Sequence, residues 1–424
     1  MSANPELSVV IPTLDEEGSV GEAISDLHRV CRGLGIHYEV LVVDGGSRDR
    51  TVELAERAGA QVFRQQRPGY GGALLDAFER ARGTWVATMD SDLSHPPTVL
   101  RSLYRNRERA DLLIASRFVK GGLANMPIVR RLLSLVLNRV FAIVLDMPVS
   151  DLSSGFRLYR RRLLEEVEPQ GEDFSFLQDV LVKAYCAGYQ VLEIPFHYFP
   201  RTSGASKARV FKFGISYLKL LRESWKLRNS LQSADWDERA YDSLFLPRRW
   251  RQRWRYKVIT AWAERDGKVL DAGCGSARIF QALPDGVGLD LDRRPLRYRR
   301  TLGNPLVCAH AKRIPLASGH FDQVICAHLI EQAPRDDRIF HEFHRVLRPG
   351  GTLVVATPDA GRPFWRLVLR TWERLEPGRV TRAPVTRYTL QSLRQALSRS
   401  GFEVVDHRSG WLGDLAVLAC KREA

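Results

Sequence analysis

Short runs of aliphatic and β-branched residues alternate with amphipathic stretches along this chain. Residues 7–11 (L-S-V-V-I) and 39–43 (E-V-L-V-V) have the length and branching of buried strands, and each runs into polar turn residues. Between them, residues 20–35 carry Ile24, Leu27 and Val30 at helical spacing. The same pattern predicts a helix over 51–58, a strand at 62–63, a helix over 73–81 and a strand over 85–89. Strands alternating with helices predict βαβ units and a parallel sheet. The pattern restarts at Lys268 with K-V-L-D-A-G-C-G, followed by G-V-G-L-D, F-D-Q-V-I-C-A and G-T-L-V-V-A. Two α/β domains in tandem are therefore expected, over 1–230 and 235–424, divided at the polar N-S-L-Q-S-A-D of 229–235. The halves share an architecture and no motif.

Composition narrows the class. The 424 residues are 44% hydrophobic and 27% charged, which excludes long-range disorder, collagen and a disulfide scaffold. The length calls for more than one core. Six cysteines are scattered without a C-x-x-C pair, so neither a zinc site nor a secreted disulfide framework is expected, and a reducing cytosol is. The opening M-S-A-N-P-E-L-S lacks a basic region followed by an apolar one, so no secretory signal is expected. No run reaches the roughly 18 apolar residues that a spanning helix needs. The nearest, 132–145, is interrupted by Arg139 and led by Arg130 and Arg131.

In an open α/β sheet, ligands bind beyond the C-terminal ends of the strands. After the first predicted strand come Pro12, Thr13, Leu14, Asp15, Glu16 and Glu17, and after the second Asp44, Gly45, Gly46 and Ser47. After the fourth comes D-S-D-L-S-H-P-P, beginning at Asp90. Three acidic clusters at neighbouring strand ends build one electronegative pocket, which needs a cation to hold phosphates. Asp90 and Asp92 offer the oxygen ligands that Mg²⁺ or Mn²⁺ takes when it bridges a diphosphate.

The motifs I-P-T-L-D-E-E, V-D-G-G-S-x-D-x-T, G-Y-G-G-A-L-x-x-A-F-x-x-A-x-G, M-D-S-D-L-S-H-P-P, A-S-R-F, S-S-G-F-R and R-x-S-G-A-S-K occur in that order within residues 6–228. Together they resemble the dolichol-phosphate mannosyltransferase family, the polyprenyl-phosphate glycosyltransferases of family 2. The resemblance implies a GT-A (Rossmann-like) α/β fold, a divalent metal and a nucleotide-sugar donor, GDP-mannose or a UDP-hexose. It also implies a polyprenyl phosphate acceptor reached at the cytosolic face of the membrane. Carried onto this sequence, it implies that Pro12, Asp15, Glu16, Asp44 and Gly69 line the nucleotide sugar, with Arg201 and Lys207 neutralising the diphosphate. Asp90 and Asp92 would hold the donor and the metal. Arg117, Arg130 and Ser134 would receive the acceptor phosphate, and Asp179 joins Asp90, Asp92, Arg117 and Arg130 in the implied catalytic set. A phosphate oxygen is already anionic at neutral pH, so an inverting displacement at the anomeric carbon rests on positioning and charge neutralisation. Gly45 stands where the family often has a second Asp, Arg50 replaces a usual Gly and Leu177 a frequent Gln. The base stays open between GDP and UDP.

Net charge is +15, and residues 201–257 alone hold 15 Lys and Arg against 5 Asp and Glu. Residues 132–145 and 211–227 interleave Leu, Phe, Tyr and Trp with Lys and Arg, an interfacial pattern worth about 1 kcal/mol per basic residue on anionic lipid. No nucleic-acid module accompanies the charge. A membrane surface is therefore the expected partner and nucleic acid is not, with peripheral attachment at the inner face of the membrane, on its cytoplasmic side. The competing expectation is a polysaccharide or other soluble acceptor, with a non-catalytic C-terminal module.

In the second half, residues 269–275 (V-L-D-A-G-C-G) form a strand entering a glycine-rich turn, where a cofactor can approach the backbone closely. Asp290 ends the next strand with an acid able to hold ribose hydroxyls. The continuations I-P-L-A-S-G-H-F-D-Q-V-I-C-A-H-L-I-E-Q and E-F-H-R-V-L-R-P-G-G-T-L-V-V-A-T-P-D make residues 235–424 similar to class I S-adenosylmethionine-dependent methyltransferases of the type 11 branch. The similarity implies S-adenosyl-L-methionine as cofactor, with Asp271, Gly273 and Gly275 at the methionine moiety, Asp290 at the ribose and His310 facing adenine. Ala277 in place of a third glycine, His310 in place of an Asp and Gln332 in place of a His depart from the pattern. A bifunctional enzyme is expected: hexose transfer, with mannose the first guess, beside methylation of a hydroxyl or carboxyl on a related glycolipid or its precursor. His341 and His344 read as structural, while His328, Glu331 and Asp359 are unranked candidates for the methyl-acceptor site.

Overall fold

The structure, a computed structural model, describes residues 4–169, 173, 175–199, 210–243, 246–276, 278–362 and 385–422; for 130, 210–216 and 302 it describes the backbone alone. The chain divides into two compact units, Met1–Arg228 and Asn229–Ala424.

The first unit opens with β1 (Leu7–Thr13), α1 (Val20–Leu34), β2 (Tyr38–Asp44), α2 (Thr51–Arg57), β3 (Gln61–Arg64), α3 (Gly69–Arg80) and β4 (Trp85–Thr88). It continues through α4 (Val99–Arg105), β5 (Leu112–Ser116), β6 (Leu123–Ala124) and α5 (Ile128–Leu145). Then follow β7 (Arg157–Arg160), α6 (Arg161–Val167), α7 (Phe176–Cys186), β8 (Val191–Pro195), β9 (His197–Tyr198) and α8 (Val210–Arg228). The main sheet has the order β3-β2-β1-β4-β7-β5-β8. Its core lies on both faces: Val10, Leu74 and Val86 pack on one side, and Val9, Ile11 and Val42 on the other. Burial on both faces is why these strands read as unbroken apolar runs.

Three elements differ from the sequence expectation. The sheet is mixed, because β7 runs antiparallel to both β4 and β5. It enters after the long α5 excursion and not by a βαβ crossover, so alternation of elements could not reveal its direction. β1 continues past Pro12 to Thr13; β4 stops pairing with it at Val10–Thr88, so beyond that point a missing amide costs no ladder bond on the β4 side. α3 starts four residues early, at Gly69. Its glycines have poor intrinsic helicity, but a Cβ on Gly72 would come 2.6 Å from the Arg67 carbonyl oxygen, and only glycine admits that approach.

The second unit contains α9 (Trp236–Tyr241), α10 (Leu246–Trp262), β10 (Val269–Ala272), β11 (Val287–Asp290), α11 (Arg293–Arg299), β12 (Leu306–Cys308) and β13 (Phe321–Ala327). It ends with α12 (Arg338–Val346), β14 (Leu347–Pro358), α13 (Leu390–Arg399), β15 (Phe402–Ser409) and β16 (Asp414–Lys421). Strand order is β12-β11-β10-β13-β14-β16-β15, and only β16 runs against its neighbours β14 and β15. From β10 the chain winds outward through β11 and β12, then returns on the other side as β13. That reversal opens a crevice at the C-terminal end of β10, where a ligand site belongs.

Candidate functional site

In the first unit, the loops after β1 and β2 are stitched together. Asp15, a non-glycine residue at φ 51°, donates its amide to Ser47 Oγ (2.9 Å), and its Oδ1 accepts from the Arg48 amide (2.9 Å). The Glu16 amide donates to Thr51 Oγ1 (2.8 Å). These bonds place Asp15 and Glu16 on one rim at the end of the sheet. Asp44 is used inside its own turn, accepting from the Gly46 amide (2.9 Å) and from the Ser47 hydroxyl (2.5 Å). Pro12 lies within β1, and Gly69 opens α3 at φ 77°.

β4 delivers the D-x-D pair beside this rim. Leu93, at φ 60°, turns the chain so that the Ser94 amide (3.0 Å) and hydroxyl (2.5 Å) donate to Asp92 Oδ1. The Tyr70 hydroxyl of α3 donates to Asp90 Oδ1 (3.4 Å). Gly155 of S-S-G-F-R lies against both, since a Cβ there would come 2.8 Å from the Tyr70 oxygen and 3.6 Å from Asp90. A third side chain joins them. Ligand atoms of Asp90, Asp92 and His95 all lie within 4.8 Å of one another. His95 is buried, its ring held by Phe156, Phe196 and Tyr198, and among the described residues its Nδ1 has no hydrogen-bond partner. Burial lowers its pKa by more than Asp90 and Asp92 raise it, which keeps the imidazole neutral and able to ligate. Two carboxylates and a neutral imidazole, whose Nδ1 lies 3.4 Å from Asp90 Oδ2 without a hydrogen bond between them, fit a divalent cation such as Mn²⁺ or Mg²⁺. In the sequence His95 falls within M-D-S-D-L-S-H-P-P, three residues beyond Asp92, but nothing there marks it as a ligand.

Arg117 leaves the end of β5 and meets Asp151 twice, Nε to Oδ2 and Nη2 to Oδ1, both at 2.7 Å. Ser153 Oγ accepts from the same Nη2 at 2.7 Å. Burial works against both charges and the pairing outweighs it, leaving Arg117 above and Asp151 below its ordinary pKa. Asp90 also acts on the Arg117 charge, so the pair stands beside the D-x-D. The A-S-R-F motif points to Arg117, while nothing in the sequence singles out Asp151. Arg157 of S-S-G-F-R is fully buried and donates to the carbonyls of Leu152, Ser154 and Leu177, tying the motif to α7. Asp179, in the first turn of α7, pairs with Lys183 (2.8 Å), and Ser134 is half-buried on α5. Arg201, Lys207 and the Arg130 side chain lie outside the described residues.

The second unit holds a cavity of about 320 Å³ at its crevice, lined by Asp271, Gly273, Gly275, Ser276 and Asp290. Gly273 and Gly275 take φ values of 78° and 50°, and a Cβ on Gly273 would come 3.0 Å from the Leu329 side chain. The Gly275 amide donates to Asp290 Oδ2 (2.9 Å), which ties the turn to the end of β11. Burial, then Asp290 and Asp237, push the Asp271 carboxyl up to about 7. The Ser276 hydroxyl is buried, with no hydrogen-bond partner among the described residues. A glycine cradle, an acidic wall and an unpartnered hydroxyl fit a cofactor with a cationic group. His310 is exposed, its Nδ1 accepting the Lys312 amide (3.0 Å), and it is not among the residues lining this cavity. His328 (φ 57°) and Glu331 do line it, joined at 2.7 Å, whereas Asp359 accepts the Gly361 amide.

Residues 8–168 match the glycosyl transferase family 2 model, and residues 270–355 match a methyltransferase domain model. The dolichol-phosphate mannosyltransferase of Pyrococcus furiosus is 32% identical over 232 residues, covering 52% of this chain and 63% of that protein. This chain therefore spans less than two thirds of that relative's length. The dolichyl-phosphate hexose transferase of Haloferax volcanii is 32% identical over 212 residues, 50% of this chain and 90% of that protein. The solved structure of a SAM-dependent methyltransferase from Thermotoga maritima is 19% identical, covers 43% of this chain and 94% of that one, and has a TM-score of 0.38.

Proposed function

Because this chain belongs, through its first unit, to the family 2 glycosyltransferases, we propose that this unit transfers a hexose, mannose first, from a nucleotide sugar to polyprenyl phosphate with inversion. The observation that carries the proposal is the grouping of Asp90, Asp92 and His95 beside the Arg117–Asp151 pair. A divalent cation held by those three residues would supply charge neutralisation at the leaving diphosphate. Asp15 and Glu16 on the rim bind the nucleotide side. Arg117, fixed by Asp151, places positive charge where an acceptor phosphate must come close to an acidic pocket. An acceptor phosphate oxygen attacks the anomeric carbon as the bond from that carbon to the diphosphate oxygen breaks, and the nucleoside diphosphate leaves. No proton has to move, so the protein's work is alignment and electrostatics.

A lipid acceptor is favoured over a soluble one by α5. Its Ile128, Val129 and Val136 are 73%, 66% and 61% exposed, with Leu132, Leu133 and Ile143 exposed beside them. An apolar face of that size on a helix carrying Arg131 and Arg139 suits a bilayer interface. Among the described residues no helix is long and apolar enough to cross a membrane, and peripheral attachment at the cytosolic face follows from this proposal. The second unit binds S-adenosyl-L-methionine through its glycine cradle and methylates a hydroxyl or carboxyl on a related glycolipid or precursor.

The test is transfer from radiolabelled GDP-mannose and UDP-glucose to polyprenyl phosphate in detergent, with and without Mg²⁺ or Mn²⁺. The expected product is an acid-labile glycolipid from one of the two donors, dependent on metal and reduced about 100-fold or more by Asp92→Asn. Equal transfer to unphosphorylated polyprenol would remove the acceptor assignment, and no product from either donor would remove the donor assignment. For the second unit, S-adenosyl-L-methionine should raise its melting temperature, because a ligand that binds only the folded state stabilises it.

A further inference from the structure

The cavity of the second unit carries more negative charge than a glycine turn and a ribose-facing acid account for. Asp271 and Asp290 come from the ends of β10 and β11, and a third carboxylate, Asp237 on α9, lines the same space. Both α9 and α10 lie outside residues 270–355, which match the methyltransferase domain model. Asp237 sits directly over the glycine-rich turn: a Cβ on Gly275 would come 2.5 Å from its Oδ2. Its Oδ1 is 3.5 Å from Nη2 of Arg255 on α10, which also lines the cavity. The other arginines of the lining are taken up elsewhere: Arg251 by Asp414, Arg278 by Glu238 and Arg294 by Asp292. In the same wall the Ser276 hydroxyl, 1% exposed, has no hydrogen-bond partner among the described residues. A buried unsatisfied hydroxyl is costly and marks a place where a ligand atom belongs.

We propose that α9 and α10 supply the recognition site for the amino-acid end of the cofactor, with Asp237 and Asp271 taking its ammonium and Arg255 its carboxylate. This assignment rests on the second unit binding S-adenosyl-L-methionine. That molecule carries an ammonium, a sulfonium and one carboxylate, an excess of positive charge. Asp237, Asp271 and Asp290 face Arg255 as the one lining arginine not paired outside this group, which leaves the complementary excess of negative charge. The Asp271 and Asp290 carboxyls are both raised, by burial first and with Asp237 contributing to each, and a cation placed among them relieves that repulsion. Gly275 is then required for two reasons: its positive φ, and the space that Asp237 occupies above it.

Isothermal titration calorimetry on the full chain separates the possibilities with three probes: S-adenosyl-L-methionine, S-adenosyl-L-homocysteine and 5′-methylthioadenosine, which lacks the amino-acid end. Asp237→Asn and Arg255→Gln should each weaken the first two by about tenfold or more while leaving methylthioadenosine within about twofold. Unchanged affinity for S-adenosyl-L-methionine in both variants overturns the assignment. Equal loss for all three ligands also overturns it, since the effect would then be on the pocket's shape and not on contacts to the amino-acid end. Should the unaltered protein bind none of the three, the cofactor reading itself falls, and the assignment falls with it.

Discussion

Arg117 and Asp151 face each other in a two-pronged pair, both contacts at 2.7 Å, with the Asp151 carboxylate at 0% exposure. Removing either partner leaves a buried charge without compensation. Asp151→Ala should therefore destabilise the first unit by about 3–5 kcal/mol and lower sugar transfer. Arg117→Met combined with Asp151→Leu should cost less stability than Asp151→Ala alone, because no isolated charge remains. Urea unfolding of the single and the double variant, compared at the first unit's transition, checks the order.

Gly155 touches both Tyr70 and Asp90, and a Cβ there would come 2.8 Å from the Tyr70 hydroxyl oxygen. Gly155→Ala should cost about 1–3 kcal/mol of stability and reduce transfer by pushing aside the Tyr70 hydroxyl that donates to Asp90. Adding Tyr70→Phe removes the crowded oxygen, so the double variant should recover much of the lost stability. Thermal melts of the single and double variants decide it.

Asp271 is raised from 3.8 to about 7 by burial first, then by Asp290 and Asp237. Between those values the folded second unit holds a proton that the unfolded chain has released. The contribution of this group to stability is thus fully present below about pH 4 and falls as pH rises to about 7, by up to about 1.4 kcal/mol per unit. Asp271→Asn should flatten that slope, as read by denaturation of the second unit at pH 5 and pH 8. A cationic cofactor prefers the ionised carboxyls, so affinity for S-adenosyl-L-methionine should tighten between pH 6 and pH 8 in the unaltered protein and change less in the variant.

The apolar face of α5 is open to solvent at Leu132 and Val136. Leu132→Ser with Val136→Ser should change stability by no more than about 0.5 kcal/mol per site, yet lower binding to vesicles of phosphatidylglycerol and phosphatidylcholine. Co-sedimentation with such vesicles measures the loss. Transfer to detergent-solubilised acceptor should stay near its original rate.

The two α/β units, their glycine-rich turns and the acidic strand ends are legible in the sequence because each is a local property. Unbroken apolar runs for strands buried on both faces, period-3.6 burial for helices, a glycine demanded by positive φ and a carboxylate just past a strand all leave their mark within a few residues. The family motifs add order over a longer span but remain strings of neighbours.

Tertiary structure alone decided the rest. The reversed direction of β7, the pairing of Asp151 with Arg117, the convergence of His95 on the D-x-D and the seat of Asp237 over Gly275 join residues through space. An Asp or His at any of these positions looks like many others in the chain. What gives each its role is its place among groups brought in by other elements, which no run of neighbouring residues records.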